Sequence, residues 1–155
     1  MSRPVSAGLL VWRPGPAEPE FLLAHPGGPY WRGKDVAAWS IPKGLAEPGE
    51  DLLAAARREF AEELGLEIDG TFVALSPCRL PGGKQVHAWL IRADLDLSAL
   101  RSNLFEIEWP PRSGRRQAFP EVDQAAYVPA QAALEKIHRG QRPILEEALT
   151  RIGQP

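Results

Sequence analysis

Hydrophobic positions gather in short strand-like runs separated by Pro and Gly, with one long run at helical spacing. Val5 to Arg13 is rich in aliphatic residues and predicts a strand, broken by Pro14-Gly15-Pro16 and Pro19. Phe21 to Ala24 predicts a second strand, ended by Pro26-Gly27-Gly28-Pro29. Tyr30 to Ser40 reads as a loop with a short strand near its end, and Ile41-Pro42-Lys43-Gly44 enters another loop that Pro48-Gly49 closes. From Glu50 to Leu64 the period changes. Leu53, Ala56, Phe60 and Leu64 form one apolar stripe and predict a helix. Glu50 and Asp51 fall in its first turn, where the helix dipole favours negative charge, and Gly65 suits a left-handed C-cap. Ile68 to Pro77, Val86 to Asp94 and Glu121 to Val128 predict further strands. Leu95 to Ala118 reads as a long irregular loop, and Pro129 to His138 and Pro143 to Ile152 predict helices. This order predicts one mixed α/β domain spanning residues 1–155.

Composition narrows the class. With 44% hydrophobic and 25% charged residues the chain has an ordinary globular balance, which argues against disorder, collagen or coiled coil. A net charge of −2 gives no global reason to expect nucleic-acid or membrane binding. Cys78 is the single cysteine, so no intrachain disulfide can form; it reads as a small core residue and fits a reducing cytoplasm. No apolar run reaches membrane-spanning length. Met1-Ser2-Arg3-Pro4 leads into a strand-like segment without a signal peptide's apolar stretch, so a cytoplasmic chain is expected. His25, His87 and His138 are scattered, show no metal spacing, and read as surface or satisfied core residues.

The helix carries the chemistry. Glu59, Glu62 and Glu63 span an arc of about 100° at 100° per residue, beside the apolar stripe and so at the edge of the core. Like charges at this spacing repel, and a hard cation such as Mg²⁺, which prefers carboxylate oxygens, would turn repulsion into attraction. The plainer reading of the same residues is a solvated helix face with Arg58 pairing Glu62.

The wider spacing favours the first reading. Five residues lead from Gly44 to Glu50 and seven more to Arg58-Glu59-Phe60, followed by Ala61, Glu62-Glu63, Leu64, Gly65 and Leu66. This resembles the Nudix box, G-x5-E-x7-R-E-U-x-E-E-x-G-U, over residues 44–66. At ~7% usage per fixed residue, a chance match is on the order of one in ten million. The resemblance implies an α/β/α sandwich with a mixed sheet and a loop-helix-loop motif. It also implies an enzyme that hydrolyses nucleoside diphosphate-linked compounds with Mg²⁺ or Mn²⁺. In that pattern Glu62 and Glu63 resemble metal ligands and Glu59 a ligand or base. The Gly44 carbonyl resembles a backbone ligand, and Glu50 and Arg58 an ion pair that holds the loop to the helix.

A downstream carboxylate is expected to complete the site. Glu121 is the first choice, because it begins a predicted strand six residues before Tyr127, a spacing similar to nucleotide-pool-cleaning members. Glu106 is the second, and Glu108 the third. The segment Trp39 to Gly44, followed by Glu47-Pro48-Gly49-Glu50, resembles members acting on dinucleoside polyphosphates or nucleoside triphosphates. Trp39 and Lys43 are therefore candidate substrate contacts. Arg112, Arg115 and Arg116 form a basic cluster suited to phosphate oxygens. Tyr30, Trp31, Phe105, Trp109 and Phe119 lie outside the obvious strands, where one could stack on a base. Diphosphoinositol polyphosphates and nucleotide sugars are alternative substrates, with capped RNA the weakest. A silent nucleotide-binding module and a metal-stabilised structural domain are the alternatives outside catalysis. The sequence leaves a homodimer open.

Overall fold

The computed structural model describes residues 4–153. The first three residues, part of the segment read as lacking a signal, and the last two lie outside it. Among the described residues there are nine strands: β1 Val5–Arg13, β2 Glu20–Pro26, β3 Lys43–Leu45, β4 Val73–Ala74, β5 Cys78–Arg79, β6 Gln85–Arg92, β7 Leu104–Glu108, β8 Arg116–Pro120 and β9 Val122–Pro129. Three helices complete them: α1 Leu52–Leu64, α2 Ala130–Lys136 and α3 Arg142–Ile152.

The central mixed sheet runs β4-β6-β1-β2-β9. β1 and β6 are parallel, and the other pairs are antiparallel. Because strand side chains alternate, β1 feeds two cores. Ala7, Leu9 and Val11 pack under α1 with Phe60 and Leu64. Leu10 points the other way, toward Ile144 and Leu145 of α3. Two helical layers on one sheet make the α/β/α sandwich.

One edge of β1 is shared. Its first half pairs with β3, Ala7 opposite Gly44, and its far end pairs with β2, Trp12 opposite Phe21. The fork between β3 and β2 is filled by residues 40–42, with Leu9 N–H donating to Pro42 O and Ser40 bridged to Ala24. This fork sets the box loop beside α1.

Several expectations need correction. The helix begins at Leu52. Asp51 is its N-cap, accepting from Ala54 N–H at 3.0 Å, and Glu50 stands before it. The strand expected over 68–77 shrinks to Val73–Ala74, with Cys78–Arg79 pairing separately. Gly70 at φ +146° and Pro77, which lacks an N–H, flank the paired residues. The long loop contains the β7–β8 hairpin, a separate two-stranded sheet. On β7 half-buried Phe105 and Ile107 alternate with exposed neighbours, but β8 is exposed over Arg116, Gln117 and Ala118, so the alternation is too short to announce a hairpin. Gly65 does end α1 in the left-handed region, at φ +68°, its N–H donating to Ala61 O at 2.8 Å. No helix among the described residues is long and apolar enough to cross a membrane.

Candidate active site

The carboxylates on α1 are graded by their distance from the apolar stripe. Glu62, farthest from it, is 44% exposed, whereas Glu59 is 15% exposed. Glu63, next to the stripe, is the most strongly desolvated of the three. Burial, opposed by the Lys43 N–H and the Lys43 charge, pushes its carboxyl up to about 8. Burial also raises Glu59, with Arg58 opposing. The negative charge of Glu121 adds to the rise at both residues.

Arg58 organises the face. Its Nε and Nη2 donate to the two carboxylate oxygens of Glu50, each at 2.9 Å, and its Nη1 donates to Glu59 at 2.8 Å. Nη1 also reaches Glu62 at 3.3 Å, so the i,i+4 pair exists as one arm of a larger network. Nη2 donates to Leu45 O at 3.2 Å, tying the loop to the helix. The Arg58 hydrogen bonds hold Glu50 well below the usual carboxylate range, at about 2.

β3 brings the loop backbone against these acids. A Cβ on Gly44 would overlap the Glu59 carboxylate, so only glycine admits this approach. The next residue back, Lys43, donates its N–H to Glu63 Oε2 at 3.2 Å. The Lys43 side chain rises from the other face of the sheet, opposite Gly8. Burial and the nearby Lys84 lower its pKa.

The donor set suits a hard divalent ion: carboxylates on α1, a carbonyl-bearing loop in van der Waals contact with one of them, and a desolvated carboxylate that a cation would ionise. As the side chains stand, no group of three His, Cys, Asp or Glu among the described residues is gathered tightly enough to chelate. Arg58 holds Glu59 at 2.8 Å and Glu62 at 3.3 Å.

The downstream candidates separate cleanly. Glu121 sits between β8 and β9, its N–H donating to Asn103 O at 2.8 Å and its carbonyl accepting from Gly27 N–H at 2.9 Å. Glu106 lies on β7 with its carboxylate 3.9 Å from Arg116 Nε, and Glu108 lies farther out, opposite Arg116. Of the three, Glu121 is the one whose charge reaches Glu59 and Glu63.

Other expected contacts are not gathered there. Trp39 is 5% exposed, packs edge-on against His25 and donates its indole N–H to Asp35 at 2.9 Å. It is a core residue rather than a substrate contact, because the apolar ring fills the space beneath the loop. His25 is buried between Asp123 and Lys34 O, at 2.8 and 2.6 Å. Arg112, Arg115 and Arg116 lie at the far end of the hairpin. Four strand steps separate Arg116 from Pro120, about 13 Å at 3.3 Å per residue. Ser102, Asn103 and Gly27, which hold Glu121, carry no side-chain signal that sequence reading could use.

A family model described as NUDIX domain matches residues 2–148. A local match of 50 residues is 44% identical to an RNA pyrophosphohydrolase of Caulobacter vibrioides, and spans 29% of this chain and 29% of that protein. Among solved structures, a C. elegans Ap4A hydrolase in a binary complex superposes with a TM-score of 0.66 at 22% identity, covering 95% of this chain and 97% of that one. The NUDIX domain of Shewanella oneidensis NrtR, complexed with ADP ribose, superposes at 0.68 and 12% identity, over 98% and 90%. At these identities the structures speak for the fold, whereas the family model reaches from the first strand into the last helix. The chain belongs to the Nudix family.

Proposed function

We propose that the chain is a Mg²⁺- or Mn²⁺-dependent pyrophosphohydrolase whose substrate is a dinucleoside polyphosphate or a nucleoside triphosphate. The observation that carries this reading is the seating of the Gly44 loop against Glu59 and of the Lys43 N–H on Glu63, with Arg58 tying that loop to the helix. Glu59, Glu62, Glu63 and the Gly44 carbonyl would hold the ion. When bound, Mg²⁺ neutralises phosphate charge and acidifies water. The residues of the chain do the rest. Arg58 and Glu50 keep the loop carbonyls aimed at α1. Glu121 approaches from outside the helix, where it can close the coordination shell or accept the proton of the attacking water. The hairpin arginines supply positive charge for a polyphosphate chain, whereas Lys43, expected to meet phosphate, contributes its backbone N–H to Glu63.

The substrate class draws support from similar folds that hold nucleotides, the Ap4A hydrolase and the ADP-ribose-bound NUDIX domain. The local likeness to an RNA pyrophosphohydrolase favours a second reading, in which the same site removes pyrophosphate from an RNA 5′ end. A net charge of −2 argues for the small nucleotide. The test is a panel of dinucleoside polyphosphates, nucleoside triphosphates, nucleotide sugars, diphosphoinositols and 5′-triphosphorylated RNA with each metal, the products being identified chromatographically. Fastest release from a nucleotide polyphosphate supports the proposal, and fastest release from RNA or an inositol overturns its substrate class.

A further inference from the structure

The segment between the box helix and the hairpin is a structural bridge. Helix ends leave their last carbonyls without partners inside the helix. In α1, Arg101 N–H donates to Leu64 O at 2.8 Å and Asn103 N–H donates to Glu62 O at 3.2 Å. Residues 101–103 therefore ride on the very turn that carries Glu62 and Glu63. From the same segment the Asn103 carbonyl accepts Glu121 N–H at 2.8 Å. Ser102 makes the second tie. Its Oγ accepts from Val122 N–H at 2.9 Å and donates to Asn103 O at 3.0 Å.

We infer that Ser102 is a positioning residue, which holds Glu121 in register with the carboxylates of α1 through the Asn103 carbonyl and the Val122 N–H. This rests on the reading of Glu121 as the downstream carboxylate of the site. Glu121 is exposed and stands between β8 and β9, just before the first residue of β9. Nothing in its own side chain fixes its depth relative to the helix, so its backbone must. Three backbone polar groups meet at the bridge: Glu121 N–H, Val122 N–H and Asn103 O. The serine hydroxyl satisfies one of them and orients another. Val122 is buried, so its N–H loses its partner if the hydroxyl is removed, and a buried donor left unpaired drives local rearrangement. On the other side, Gly27 N–H holds the Glu121 carbonyl at 2.9 Å, and a Cβ on Gly27 would overlap Pro120 O. The glutamate is thus gripped between the loop after β2 and the bridge from α1. Slack on the bridge side would shift it along the strand away from Glu59 and Glu63.

The experiment is a steady-state comparison of the full chain with Mg²⁺ and the fastest substrate of the panel, using Ser102→Ala, Ser102→Thr, Glu121→Gln and the Ser102→Ala/Glu121→Gln double variant. Ser102→Ala is expected to lower kcat about tenfold with KM nearly unchanged, the size of loss that a sub-ångström misplacement produces. Ser102→Thr, which keeps the hydroxyl, is expected to restore most of the rate. The double variant should be no slower than Glu121→Gln alone, because the serine acts through that glutamate. An equal fall in both backgrounds, or a full-rate Ser102→Ala beside an impaired Glu121→Gln, overturns the positioning role and leaves Glu121 in the site. Full activity in Glu121→Gln removes the reading of Glu121, and the positioning role with it. Hydrogen exchange on the unaltered chain gives a check that needs no variant to fold. The Val122 amide should be protected as strongly as the β9 ladder, and rapid exchange there overturns the bridge.

Discussion

Arg58 grips Glu50 with two parallel hydrogen bonds, Nε to Oε2 and Nη2 to Oε1, both at 2.9 Å. The fork geometry matches a planar guanidinium to a planar carboxylate, which lysine cannot reproduce. The same guanidinium holds Leu45 O, so the pair fixes the loop that carries Gly44. Arg58→Lys is expected to keep the charge and the fold but lose about tenfold in kcat, through a looser Gly44 loop. Circular dichroism and kinetics on one preparation check this. An unchanged kcat would mean that the loop needs no such clamp.

Gly44 faces Glu59 so closely that a Cβ would overlap the carboxylate. Gly44→Ala should push Glu59 off its position and lower turnover about 10²-fold. The melting temperature should move by only a few degrees, because β3 is short and at the edge of β1. A variant that turns over normally would place Glu59 outside the site.

Glu63 gives the chain a pH dependence whose sign can be worked out. Its carboxyl titrates at about 8 in the folded chain against 4.5 for the unperturbed group. Between those values the folded state holds a proton that the unfolded state has released. This contribution to stability is fully present below about pH 4.5, declines as pH rises, and is gone above about pH 8. A cation selects the ionised form, so stabilisation by Mg²⁺ should grow over the same interval. Thermal melts from pH 5 to pH 9, with chelator and with Mg²⁺, should diverge as pH rises, and Glu63→Gln should remove the divergence. Parallel melting curves in the unaltered chain would rule out Glu63 as a ligand.

The hairpin arginines stand four or more strand steps, about 13 Å or more, before Pro120, the residue that precedes Glu121. A short triphosphate held at the carboxylates does not need them, but a longer polyphosphate can reach them. Replacing Arg115 and Arg116 together by Ala should raise KM for a dinucleoside tetraphosphate about tenfold, the worth of one charge-assisted hydrogen bond. KM for a triphosphate, and kcat for both, should change little. A matching rise for the triphosphate would place the arginines nearer the reacting phosphate than the hairpin geometry does.

The box was legible because its meaning is local. Gly44, Glu50, Arg58 and the glutamates lie within one loop and one helix, so spacing alone places them on a common face. Gly65 announced one helix end through its backbone freedom, whereas Asp51, read as a first-turn residue, is the N-cap. What sequence could not decide was the choice among Glu106, Glu108 and Glu121. That choice depends on backbone bonds from residues 101–103 to the carbonyls of α1, and such bonds leave no mark on side-chain type. The β7–β8 hairpin escaped because its alternation is confined to Phe105 and Ile107 on one strand, while the facing Arg116-Gln117-Ala118 carries no apolar pattern. Trp39 misled because the segment it opens resembles substrate-contacting segments of family members, whereas here its ring packs in the core against His25.

In the proposed mechanism the α1 carboxylates hold the ion that drives phosphoanhydride cleavage. The most direct measurement is the Mg²⁺-dependent kcat of Glu63→Gln beside the unaltered chain, with circular dichroism establishing that both are folded. Glu63→Gln should lose at least about 10²-fold, at the low end of what metal and acid–base groups contribute. A folded Glu63→Gln that turns over at the full rate would contradict it.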